Sequence, residues 1–188
     1  MLLDQFIEWD TQLFLYLNNL GSREWDWFWI IITEKWTSIP LYLFLLFVIY
    51  KKYNLKSLGV TLLIALILVA LNDQLAGFFK YFFERPRPCN EDFMEFARFS
   101  AKRCGNFGFY SAHASSSMAI AIFISRVLKP VYPKIIYWLL LWSFVITYSR
   151  IYIGVHYPGD ILVGFTIGFM FGNFGFYLYQ KFQKKYNQ

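Results

Sequence analysis

The 188-residue sequence predicts an all-α integral membrane bundle, with about five transmembrane helices preceded by an amphipathic helix at the membrane interface. Three observations predict it. First, 57% of the residues are hydrophobic and only 16% are charged, against roughly 25% charged in an ordinary soluble domain; mean hydropathy is +0.39. Second, the apolar residues fall in runs near the roughly 20 helical residues that a bilayer core requires. Third, residues 1–20 repeat Phe6, Ile7, Trp9, Leu13, Phe14 and Leu17 at helical spacing, but Asp4, Glu8 and Asp10 interrupt the run. That pattern describes a helix lying on the membrane or against the bundle. It lacks the basic start of a secretory signal.

The spans follow in order. Residues 27–50 are apolar from Trp27 to Ile32 and again from Ile39, and the adjacent charges Glu34 and Lys35 between them blur the limits of this first span. Residues 57–80 are interrupted only near Thr61, Asn72, Asp73 and Gln74. Asp73, seven residues before Lys80, reads as a buried hydrogen-bonding group beneath that end of the span. Residues 111–129 open with a serine-rich turn, 134–153 end in Tyr148-Ser149-Arg150, and 160–180 carry Gly164, Gly168 and Gly172 four apart, a spacing for close helix packing. Pro158 and Gly159 turn the chain into the last span, and Asp160 falls in its first turn, where negative charge is favoured. The whole chain, 1–188, reads as one membrane-embedded domain with an outer loop at 84–110.

Charge sets the orientation. Lys51, Lys52 and Lys56, then Lys129 and Lys134, then Lys181, Lys184 and Lys185 all lie on one side of a five-span topology. The positive-inside rule makes that side cytoplasmic. The chain is then expected in the cytoplasmic (inner) membrane, with residues 84–110 and 150–160 on the outer face. This placement accounts for the net charge of +6 without a nucleic-acid partner. The outer loop also carries Arg85, Arg87, Arg98, Lys102 and Arg103, which are either solvated and balanced by its acids or bind an anion. Cys89 and Cys104 share this loop, as two free thiols or, favoured on an oxidising side, as a disulfide.

Three short blocks carry chemistry. Lys80 is followed by six residues and then Arg87-Pro88. Tyr110-Ser111-Ala112-His113 opens the third span. Ser149-Arg150, five residues, His156, three residues and Asp160 join the last two. All sit at outer span ends, which converge in a bundle, and both histidines of the chain are among them. Lys80, Arg87 and Arg150 suit a group with two or more negative charges. Ser111 precedes a helix start, where free N–H groups favour an anion. A neutral histidine attacks phosphorus, an Asp one turn away orients it, and a second histidine protonates the leaving oxygen. Taken singly each residue has a plainer role: Lys80 snorkelling to the surface, Arg150 paired with Asp160. Order and spacing favour the joint reading. No metal-ligand spacing occurs, so neither metal nor other cofactor is expected.

The blocks resemble the three-part signature of the type 2 phosphatidic acid phosphatase superfamily: K-x6-R-P, P-S-G-H and S-R-x5-H-x3-D. The first and third match in full; in the second, Tyr110 and Ala112 stand in place of proline and glycine. The resemblance covers about residues 80–160. It implies a lipid phosphatase in which His156 is the nucleophile forming a phosphohistidine, Asp160 orients it, and His113 is the general acid. Lys80, Arg87, Ser111, Ala112 and Arg150 would cradle the phosphoryl oxygens. The partner implied is a phosphorylated membrane lipid. Undecaprenyl diphosphate is favoured, with lipid A and phosphatidylglycerophosphate as alternatives and a silent lipid-phosphate binder as the non-enzymatic one.

Overall fold

The computed structural model describes residues 2–186. The amphipathic segment forms α1 (Leu2–Asn19), in which only Phe14 and Asn18 are buried. Leu2, Leu3, Phe6, Trp9 and Leu13 remain exposed. An apolar face left open on a helix that also carries acids suits the headgroup level of a bilayer. Asn18 anchors the end of α1. Its Nδ2 lies 2.9 Å from the Ile151 and Tyr152 carbonyls and 3.0 Å from that of Arg98, and its Oδ1 accepts the Arg98 N–H at 2.6 Å.

The first expected span, 27–50, is broken. α2 (Asp26–Thr33) stops at Glu34, which is extended. A short 3-10 turn (Lys35–Ser38) then leads into α3 (Ile39–Lys52), and the two halves meet at 68°. The cause lies in the sequence. Glu34 and Lys35 would sit inside an otherwise apolar helix, and Pro40, which lacks an N–H, falls in the first turn of α3, where that loss costs least.

α4 (Leu55–Phe83) starts under an Asn54 cap, whose side chain accepts the Ser57 N–H at 2.7 Å. It ends at Glu84, in the left-handed region at φ 46°. α5 (Ala112–Leu128), α6 (Ile135–Tyr152) and α7 (Pro158–Tyr186) match the remaining expected spans, and α4 and α7 run a few residues beyond them. α4, α6 and α7 are long and apolar enough to cross a membrane, and the bent α2–α3 pair makes a fourth candidate. α5 is shorter, at 17 residues, and lies at the centre of the bundle against α4, α6 and α7, with 13 of its residues buried.

The glycine stripe explains how α7 reaches α5. A Cβ on Gly164 would stand 2.8 Å from the Ser111 carbonyl, one on Gly172 would stand 2.7 Å from that of Ala119, and one on Gly168 would overlap that of Ser115. Small residues at this spacing let two helix backbones touch, as expected.

The outer loop is stapled. Cys89 and Cys104 form a disulfide, so of the two readings of these cysteines the bonded one holds. The Gly108 N–H donates to the Arg85 carbonyl at 2.9 Å and the Arg87 N–H to that of Asn106 at 3.2 Å. These bonds return the loop to its starting point, beside the first turn of α5. Gly154, at φ 84°, makes the turn from α6 towards α7. A side chain there would be strained and would meet the Arg98 carbonyl at 2.8 Å.

Candidate active site

The turn between α6 and α7 creates the central pair. His156 precedes Pro158, where α7 begins, and Asp160 lies in the first turn of that helix. Four residues of separation bring His156 Nδ1 to 3.1 Å from Asp160 Oδ2. The same oxygen accepts the Tyr157 N–H at 3.1 Å. Both side chains are buried, His156 at 2% and Asp160 at 0% exposure. With the carboxylate ionised, Nδ1 carries the proton and Nε2 keeps the lone pair. Burial holds His156 well below its ordinary pKa of 6.5, and the cations Arg150, Arg87, Lys80 and Arg85 push it further down. The imidazole is therefore neutral at neutral pH.

His156 lines a cavity of about 590 Å³. Lys80 reaches it from the end of α4, Arg87 from the loop, Ala112 and His113 from the start of α5, and Arg150 from the end of α6. Elements distant in sequence thus bring both histidines and four cations to one space, the fourth being Lys35 from the break between α2 and α3. Among the described residues no carboxylate is ion-paired with Lys80, Arg87 or Arg150. Arg87 Nε donates to the Phe107 carbonyl at 3.0 Å and Arg150 Nη1 donates to Thr33 Oγ1, while Arg150 Nε is buried with no partner. Like charges gathered around a cavity, with donors left over, raise the local potential for anions there. Among the described residues no group of three or more His, Cys, Asp or Glu is arranged to hold a metal.

Two placements differ from the sequence expectations, and one of the plainer alternatives is not found. Ser111 is fully buried behind Ala112 and is not among the cavity-lining residues. It caps α5 instead: its Oγ accepts the Ala114 N–H at a long 3.5 Å, and its own N–H donates to the Asp160 carbonyl at 3.1 Å. Asp73 is not the buried hydrogen-bonding group expected. It is exposed and faces the cavity, and the buried polar residue of that turn is its neighbour Asn72, whose Nδ2 donates to the Leu68 carbonyl at 2.7 Å. Helical periodicity decides this, because adjacent residues face directions about 100° apart. Finally, the cation on Asp160 is Arg85, not Arg150.

Sequence reasoning missed that cation and its second partner. Arg85 Nη1 donates to Asp160 Oδ1 at 2.9 Å, and its Nη2 donates to Asp10 Oδ2 at 2.7 Å. The guanidinium also stacks on Tyr157, 3.9 Å from the ring centroid. Asp10 Oδ1 in turn accepts the Gly159 N–H at 2.7 Å. The interfacial helix α1 is therefore wired to the first turn of α7. The only signals in the sequence were one more arginine in a basic loop and one more acid on an amphipathic helix.

Comparison with known proteins agrees with this geometry. Residues 54–184 match the PAP2 superfamily. The chain is 34% identical over 174 residues to a lipid A 4'-phosphatase of Bacteroides thetaiotaomicron, spanning 89% of this chain and 75% of that protein. It is also 34% identical over 182 residues to the lipid A 4'-phosphatase of Porphyromonas gingivalis, spanning 94% of this chain and 75% of that one. Among solved structures, Aquifex aeolicus LpxE superposes with a TM-score of 0.66 at 25% identity, over 88% of this chain and 93% of that chain. A PAP2-type phosphatidylglycerolphosphate phosphatase from Bacillus subtilis shares the fold at a TM-score of 0.72 and 20% identity, over 97% of this chain and 88% of that chain. With the match over residues 54–184 and two relatives at 34% identity agreeing with a cavity lined by both histidines and a set of cations, the chain belongs to the PAP2 superfamily of membrane lipid phosphatases.

Proposed function

We propose that this phosphatase removes a phosphate monoester from a lipid A-type glycolipid through a phosphohistidine at His156. The observation that carries the reading is a set of cations without carboxylate partners among the described residues, Lys80, Arg87 and Arg150, around a cavity that His156 lines. They hold the phosphoryl oxygens and neutralise the charge that builds on them in the transition state. His156 Nε2 attacks phosphorus and the bond to the lipid oxygen breaks. Asp160 holds Nδ1–H and stabilises the imidazole as it becomes positive. His113 gives the leaving oxygen its proton. Water then attacks the phosphohistidine, losing a proton to His113, and the P–N bond breaks. Ser111 acts indirectly, by capping the helix that carries Ala112 and His113.

A second, apolar cavity of about 320 Å³ shares Tyr42, Leu66 and Val69 with the site. Its continuity with the cations supports a substrate whose chain stays in the membrane. The names of the two relatives favour a phosphate on lipid A over undecaprenyl diphosphate, the substrate that the resemblance in sequence favoured. The distribution of lysines supports a site on the outer face of the cytoplasmic membrane. The test is phosphate release by protein purified in detergent with EDTA, from lipid A, undecaprenyl diphosphate and phosphatidylglycerophosphate, beside His156→Ala. Release is expected from lipid A with the highest kcat/KM, and its loss in the variant. Equal activity in the variant overturns the nucleophile. A higher kcat/KM on undecaprenyl diphosphate overturns the substrate.

A further inference from the structure

The break at Glu34 and Lys35 has no role in the chemistry above, yet it opens the bundle beside it. A cavity of about 560 Å³ lies between the α2–α3 break and the outer loop. It adjoins the His156 cavity, and three residues, Lys35, His113 and Arg150, line both. Its wall also carries Lys102 and Arg103 from the outer loop. Glu34 is its one acid and is already engaged, 2.9 Å from Lys102 Nζ. Lys35 and Arg103 have no carboxylate partner among the described residues. An excess of cations converging on one concave space raises the local concentration of anions there.

We infer that this outer cavity binds a second anionic group of the lipid headgroup, of the phosphate class, while the reacting phosphate lies against His156. The inference rests on the proposed phosphatase reading and adds the feature of the substrate that this protein selects. The shared wall lets one molecule occupy both spaces. Lys35 stands on that wall at the break itself, in the 3-10 turn between α2 and α3. Lys102 and Arg103 lie between Ala101, which packs with Cys89 against Tyr152, Ile153 and Val155, and Cys104, which is bridged to Cys89. Arg103 lines only the outer cavity and Lys35 stands on the wall between the two, so both are specificity residues here.

The experiment compares two lipids with the same acyl chains and the same reacting phosphate. One is a bisphosphorylated disaccharide lipid; the other has a hydroxyl in place of its second phosphate. Wild-type protein is expected to prefer the bisphosphorylated lipid in kcat/KM. In Lys35→Gln/Arg103→Gln that preference falls about tenfold, the scale of a charge-assisted contact. Lys35→Arg retains it. An equal fall on both lipids, as for a lost exit route or a misfolded variant, overturns the inference, as does an unchanged preference. Failure of the wild type to release phosphate from either lipid instead overturns the phosphatase reading on which the inference rests.

Discussion

Replacing Arg85 by glutamine tests whether the contact with α1 holds the His–Asp pair in place. Glutamine keeps a donor but loses the charge and cannot span two carboxylates. Asp160 would keep its two contacts on Oδ2, from His156 and Tyr157, and lose the one from Arg85 on Oδ1. Removing one partner of a fully buried ion pair costs about 3–5 kcal/mol. Asp160 is wholly buried but Arg85 is 22% exposed, so water reaches the vacated space and about 2–3 kcal/mol is expected. For a chain of this size that lowers Tm by about 5–10 °C. A carboxylate that no longer fixes the imidazole should reduce kcat about 10- to 100-fold, with a smaller effect on KM. Asp10→Asn keeps the acceptor for Gly159 and removes only the partly exposed pair, so about 1 kcal/mol is expected. Thermal unfolding in detergent and phosphate release at one pH measure both effects. A Tm for Arg85→Gln within about 1 °C of wild type, together with an unchanged kcat, would refute the wiring.

Other outcomes follow from the same geometry. His156 has a lowered pKa in the fold and regains its ordinary 6.5 on unfolding, so the unfolded chain binds the proton more tightly. Its contribution to stability is full above about pH 6.5 and is lost as pH falls below that. Tm should drop on acidification, and His156→Gln should flatten the slope; parallel slopes would exclude this origin. Gly168→Ala should lower both Tm and activity, by about 1–3 kcal/mol for an overpacked contact, because its Cβ meets a backbone carbonyl of α5. Gly59→Ala, with nothing within 4 Å of its Cβ, should be neutral or slightly stabilising; equal losses in both would remove the packing argument. Reduction of Cys89–Cys104 releases a loop of about 16 residues and should cost roughly 3 kcal/mol. Tm is the measure, and no change on reduction would count against the bridge as a staple.

The sequence was most legible where one residue type had one plausible job. Lys80, Arg87, His113, Arg150 and His156 line one cavity, as their order and spacing predicted. Asp160 stands directly behind His156, because an i, i+4 spacing across a helix start leaves little choice. Legibility failed where partners are far apart in the chain. Asp10 and Gly159 are 149 residues apart, and no local pattern links them. Asn18 is buried against the carbonyls of Arg98, Ile151 and Tyr152, 80 or more residues away, and no local pattern marks it. The break of the first span was written in Glu34 and Lys35, but apolar content smoothed it over. Ser111 was placed on the phosphate by its position before a helix; the structure uses its hydroxyl on the helix itself.

The central position of α5 has a consequence for reading topology. Enclosed by α4, α6 and α7, this helix meets little lipid, so it tolerates Ser115, Ser116, Ser117 and Ser125 and needs no more than 17 residues. A hydropathy count that accepts only segments long and apolar enough to cross finds at most four, an even number. Omitting α5 reverses the parity and moves every later segment, including the lysine-rich end of α7, to the side opposite the one that the five-span reading gives it. The helix that carries His113 to the site is thus the one that an automated survey of membrane segments is most prone to discard.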